Sequence, residues 1–201
     1  PPSSVPPFLH YCAATHAGLT AHHTGEETYF FPEVERLTGE KGLMDTNISQ
    51  HAAFESGFAV WGAWIQDCLA GADEFEGKKC RELMDAFIPP LSQHLAEEIP
   101  SLLALRRFGD TLDMAAMGKV EAEEVMGGLS KTEVLPVLWL NHDVTFEGGI
   151  HSGFPPVPAA VRWVLREVCG RWNAEWWKFS TCGFDGRPRE LAFLGEGEEK
   201  A

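Results

Sequence analysis

The chain has 201 residues, 44% of them hydrophobic and 23% charged, so it can bury one sizeable core and is not disordered by composition. Its formal net charge of −14 argues against a nucleic-acid partner, because the counterion release that drives such binding needs clustered lysine and arginine. No run of about 18 apolar residues occurs, and the N-terminal PPSSVPPF lacks a charged region followed by an apolar one, so neither a membrane span nor a targeting segment is expected. The five cysteines are odd in number, widely spaced and without a Cys-x-x-Cys pair, which fits a reduced compartment and makes the cytoplasm the expected location.

Pro6 and Pro7 suit the first turn of a helix, and apolar steps of three and four continue from Phe8 through Leu19, Phe30 and Val34 to Leu37, where Thr38-Gly39 ends the run. Pro32 predicts a kink within it. A second helix is expected from about Asn47 to Ala70, with His51, Glu55, Phe58, Gly62, Ile65 and Leu69 on one stripe and Gly71 as its stop. A third begins near Glu76 and carries Met84, Phe87, Leu91, His94, Glu98, Leu102 and Leu105, with Pro89, Pro90 and Pro100 predicting a bend or break. Residues 110–127 read as a further helix, 131–140 as a short element interrupted by Pro136, and a last helix opens at Pro158 or Ala159. Trp163, Trp172, Trp176 and Trp177 are large apolar surfaces expected to pack this tail against the preceding helices, and EGEEK is a solvated acidic end. The organisation expected is an all-α chain, with a helical bundle over 1–109 and a Trp-rich extension over 110–201 packed on it.

Three segments place a histidine four residues before a glutamate: His22 and Glu26 in AHHTGEE, His51 and Glu55 in QHAAFES, His94 and Glu98 in QHLAEEI. One such pair on a helix surface is ordinarily a weak contact worth about 0.2–0.5 kcal/mol. Three pairs on apolar stripes are different. Burying the carboxylates without a cation would cost several kcal/mol each or force protonation, so their recurrence calls for metal ions. Imidazole with carboxylate and no thiolate suits iron, with manganese or zinc as substitutes. In the first segment His23 and Glu27 satisfy the same spacing. The stripe of Leu19, Phe30 and Val34 favours His22 and Glu26, with the other pair as the alternative.

Other residues have plainer readings. Tyr29, a turn beyond Glu26, is expected to hydrogen-bond a carboxylate rather than to reach a metal. His142 and His151 have no partner at ligand spacing and are taken as structural, and Cys12 and Cys68 as buried hydrophobes. Neither a nucleophile elbow nor a phosphate-binding glycine loop is present.

The succession HHTGEETYFFPEVE, SQHAAFESGF and HLAEEIPSLL, over about residues 8–106, resembles the hemerythrin-like, or HHE cation-binding, proteins. NHDVTFEGGIHSGFPPVPAAVRW is similar to the C-terminal extension of fungal members. The resemblance implies an up-down helical bundle holding an oxo- or hydroxo-bridged di-iron centre, with Glu26 and Glu98 as bridges and His22, His51 and His94 as terminal ligands. Oxygen carriers of the family have a second histidine where Glu55 stands here. A more anionic ligand there would favour ferric iron, so sensing, storage or oxidation is expected over reversible carriage. The family's first helix supplies a histidine ahead of the first HxxxEE. His10 and His16 do not replace it, lying about 18 and 9 Å upstream along the same expected helix. Either an opening segment is missing from the chain, which is the simpler expectation, or the bundle is completed by another chain or by another element such as the helix over 110–127, which has no histidine. Two functions follow from the resemblance: a di-iron protein that binds dioxygen, nitric oxide or iron, or an oxidase, oxygenase or peroxidase acting on a small organic substrate. A sealed site would favour the first, and an apolar cavity reaching an open metal position the second.

Overall fold

The computed structural model describes residues 1–154 and 157–191, and over these the chain is helical, with an isolated β-bridge between Cys182 and Pro188. No described helix is long and apolar enough to cross a membrane. The packing divides the chain into two compact units, Leu19–Gly128 and Pro1–Gly18 with the segment from Leu129 onward, and helix α1 (Val5–Gly25) has residues in both.

In the first of these units, α1 runs without interruption into a π-helical segment (Glu26–Phe30) and then α2 (Phe31–Thr38). The kink expected at Pro32 takes this form. Proline has no N–H to close the preceding turn, and the chain accommodates it with a wider turn in which the Phe31 N–H reaches the Glu26 carbonyl. Gly39, at φ 72°, ends α2 and donates its N–H to the Glu35 carbonyl at 2.9 Å. Helix α3 (Asp45–Ala70) stops at Gly71 as expected, also left-handed at φ 72°. The expected third helix is two: α4 (Gly77–Asp85) and α5 (Ile88–Ala104). Pro89 and Pro90 start α5 rather than bend it, because first-turn N–H groups have no intrahelical acceptor. Pro100 is inside α5 and leaves the Ala96 carbonyl without its i+4 donor. A 3₁₀ stretch (Leu105–Thr111) leads to α6 (Met114–Gly127).

α3 packs along α5 and α4, while α6 packs on the π segment. Phe30, Phe31, Val34, Met44, Leu105, Leu112 and Met117 form one buried cluster. A second apolar region comes from α3, where Phe54, Phe58, Trp61 and Ile65 are buried together with Phe87 and Leu91. Burial of a large side chain in such a region stabilises by about 1.5–3 kcal/mol, so these two regions fix α3 and α5 around whatever lies between them.

In the other unit, Ala14, Leu140 and Trp177 are buried together with Tyr11, Val137, Trp176 and Phe184 packed around them. α7 (Leu135–Leu140) begins with Pro136 in its first turn, and Asn141 at its end accepts hydrogen bonds from the Tyr11 hydroxyl at 3.1 Å and the Thr181 N–H at 3.0 Å. His10 stacks on Trp176 with ring centroids 4.1 Å apart. α8 (Ala159–Trp163) opens after Pro158 as its cap. Trp176 and Trp177 pack as expected of the tail, but Trp163 and Trp172 remain exposed, because α8, the π turn that follows it (Val164–Cys169) and the helical turn Gly170–Trp172 bury only Leu165 and Gly170. EGEEK lies outside the described residues.

Candidate metal centre

Three imidazoles meet between the two apolar regions. The His51 ring lies 4.6 Å from that of His23 and 4.5 Å from that of His94, centroid to centroid, and packs between Phe31 and Phe54 at 5.6 and 5.8 Å. His23, His51 and His94 are all buried, as are the carboxyls of Glu26 and Glu98. The His51 Nε2 is 3.5 Å from Glu26 Oε2, and the His94 Nε2 is 4.0 Å from Glu98 Oε1. His22 reaches Glu26 Oε1 at 3.4 Å from the rim of the cluster, its side chain 43% exposed.

The outer partners decide which nitrogen each ring presents. His51 Nδ1 is 2.7 Å from Glu27 Oε1, and a carboxylate accepts only, so Nδ1 carries the proton and Nε2 faces the cluster bare. His94 Nδ1 is 3.2 Å from Gln50 Oε1, and the Gln50 amide is turned that way by donating to Glu97 Oε2 at 2.6 Å. The two Nε2 atoms then point lone pairs at each other across 3.1 Å. With Nδ1 of each ring given to its outer partner, the facing nitrogens need a shared proton or a cation between them. Glu26 Oε2, Glu98 Oε1 and His23 Nε2 are buried with no hydrogen-bond partner. The residues therefore fit a metal ion. One atom each from His23, Glu26, His51 and His94 lies within 4.8 Å of every other, and the same holds for His22, Glu26 and Glu121.

The electrostatics agree. Burial and the neighbouring imidazoles hold His23 down at about 3, and burial lowers His94. Burial and then the Glu98 and Glu121 carboxyls push Glu26 up to about 9, and burial and then Glu98 push Glu121 up to about 7. Without metal the His23 and His94 rings are thus held neutral and the Glu26 carboxyl protonated, and a cation that enters displaces the Glu26 proton to solvent.

Of the six residues expected as ligands, the structure brings together His22, Glu26, His51, His94 and Glu98, and leaves out Glu55. Glu55 is exposed on α3. The buried positions of that helix are Asn47, His51, Phe54, Phe58, Trp61, Gly62, Trp64 and Ile65, and at about 100° per residue Glu55 lies roughly 80° from their mean direction. The alternative in the first segment resolves into a division of roles: His23 and His22 are both at the cluster, Glu26 faces it, and Glu27 orients His51. Glu121 is the residue the His/Glu search missed. It sits on the stripe Met114, Met117, Glu121, Val125 of α6, an acid on an apolar face, which is the signal that marked the other segments.

The remaining expectations find plain settings. Tyr29 packs against the Phe30–Met117 cluster and lines a cleft. His151 and Glu147 form an exposed pair at 3.0 Å, and His142 contacts the His151 carbonyl. Cys12 is buried and Cys68 half-buried, with burial raising the Cys68 thiol.

The hemerythrin HHE cation-binding domain family matches residues 5–105 of the chain. The chain is 30% identical to the dimeric xanthone biosynthesis cluster protein R11 of Cryptosporiopsis sp. (strain 8999) over 198 residues, which cover 98% of this chain and 74% of that protein. No solved structure matches it significantly. The chain belongs to the hemerythrin HHE cation-binding family.

Proposed function

We propose that the chain is a non-haem di-iron protein that binds iron, dioxygen or nitric oxide. The observation that carries the reading is the pair of bare Nε2 atoms of His51 and His94, 3.1 Å apart and surrounded by the buried carboxyls of Glu26 and Glu98. His23, His51, His94, Glu26 and Glu98 would hold the iron, with the two carboxylates neutralising its charge. Bound iron would supply redox chemistry and an open position for a diatomic ligand. Phe31 and Phe54 keep water from the imidazoles, and Glu27 and Gln50 keep their Nε2 lone pairs aimed inward. α1 with α2, α3 and α5 would form three members of an up-down bundle, as the short connections between α2 and α3 and between α3 and α4 support. The net charge of −14 supports a small ligand over nucleic acid.

Glu55 is exposed, so it adds no anionic ligand, but α3 still offers one histidine where the carriers of the family offer two.

Oxidation of a small organic molecule is the second reading. A cleft of about 280 Å³ lined by Gly25, Thr28, Tyr29, Val120, Glu121 and Glu124 reaches the edge of the cluster at Glu121, and the relative's name places that protein in a biosynthetic cluster. The size suits a small substrate. Anaerobic loading with ferrous iron followed by optical spectra on admitting oxygen tests both. A charge-transfer band that reverses under vacuum supports binding, irreversible conversion to ferric oxide supports oxidation or storage, and no iron uptake refutes the proposal.

A further inference from the structure

We propose that Glu121 of α6 is a ligand of the second ion, shared with His22 and Glu26, and that Gly25 is the residue that lets α6 come close enough to deliver it. The inference rests on the two-ion reading above and names a residue outside the His/Glu pattern.

Three observations carry it. Glu26 belongs to both groups of converging ligand atoms, with His23, His51 and His94 on one side and His22 and Glu121 on the other, which is the placement of a carboxylate between two ions. Glu26 is 5% exposed, and its two oxygens face different groups: Oε2, which has no hydrogen-bond partner, lies 3.5 Å from His51 Nε2, and Oε1 lies 3.4 Å from His22 Nε2. Finally, no lysine or arginine among the described residues pairs with Glu26, Glu98 or Glu121, and Lys119 on the same helix is engaged with Glu123 at 3.9 Å. Several acids gathered beside histidines with no organic cation among them need an inorganic one.

The approach of α6 depends on a missing side chain. A Cβ at position 25 would lie 2.4 Å from Val125 Cγ2, so even alanine must displace that side chain, which is stiff at χ1 and passes the strain to the stretch of α6 that carries Glu121. Gly25 immediately precedes the π segment, so the close approach and the placement of Glu26 arise at one point of the chain.

The test is the metal stoichiometry of the full chain under anaerobic titration with Mn(II), read by elemental analysis after gel filtration and by electron paramagnetic resonance. The wild type should hold two ions with a spin-coupled signal. Glu121→Gln, which preserves shape, should keep the first ion at unchanged affinity, bind the second at least tenfold more weakly and show the signal of an isolated ion. Gly25→Ala, which alters no ligand, should do the same, and Gly25→Ala with Val125→Ala should recover the second ion. Glu123→Gln, on the solvent side of the same helix and paired with Lys119, should behave as wild type. Two ions at wild-type affinity in Glu121→Gln overturn the inference and leave the two-ion reading intact. Fewer than two ions in the wild type overturn that reading, and the inference with it.

Discussion

Glu26→Gln should stabilise the metal-free protein while destroying its capacity for metal. Glu26 is buried, its side chain 6% exposed, and burial with Glu98 and Glu121 pushes its carboxyl up to about 9 from an ordinary 4.5. The unfolded chain releases this proton above pH 4.5 and the folded chain retains it to about pH 9, so the native state binds more protons across that window and its stability falls as pH rises through it. Each pH unit costs about 1.4 kcal/mol, so by pH 7 the loss is about 3 kcal/mol relative to pH 4.5. Glutamine has the shape of the protonated acid, never ionises, and can donate to the bare His51 Nε2, which faces Oε2 at 3.5 Å. Urea denaturation of chelator-treated wild type and variant at pH 5, 7 and 9 measures the effect. The curves should nearly coincide at pH 5, and the variant should be ahead by about 3 kcal/mol at pH 7 and further ahead at pH 9. A wild type whose stability rises in parallel with the variant between pH 5 and 9 would refute the buried, protonated Glu26.

Metal uptake at pH 7 should release between one and two protons, one from Glu26 and a fraction from Glu121, whose carboxyl is pushed up to about 7; calorimetry in buffers of different ionisation enthalpy counts them. Glu27→Gln or Gln50→Leu, each removing the partner that fixes an imidazole, should weaken metal binding by roughly 10–100-fold with little change in stoichiometry, read by competition with a chromophoric chelator. Glu55→Gln should leave stoichiometry unchanged and stability within about 0.5 kcal/mol of wild type, because its side chain lies on the solvent face of α3.

The helical character, the caps at Gly39 and Gly71, and the convergence of His22, Glu26, His51, His94 and Glu98 are legible because apolar side chains at steps of three and four define a face, and a charged residue on that face stands out. Glu55 was misplaced for a geometric reason. α3 carries large apolar residues on more than one side, and a stripe drawn through His51 and Glu55 differs by a fraction of a turn from the one through His51, Phe54 and Trp61 that is buried. The roles of His22, His23, Glu26 and Glu27 were not separable at all, because the π segment shifts the helical register at Glu26, and only Pro32 hints at it. Glu121 carries the mark of an acid on an apolar stripe but was passed over for want of a histidine one turn away, and the role of Gly25 depends on a contact nearly a hundred residues distant.

X-ray absorption of the iron-loaded protein tests the central claim most directly. A first shell of nitrogen and oxygen alone, with the outer scattering of imidazole that His51→Ala diminishes, is the result the buried His/Glu cluster predicts. Sulfur in the first shell, or imidazole scattering indifferent to the loss of His51, would place the metal elsewhere and contradict it.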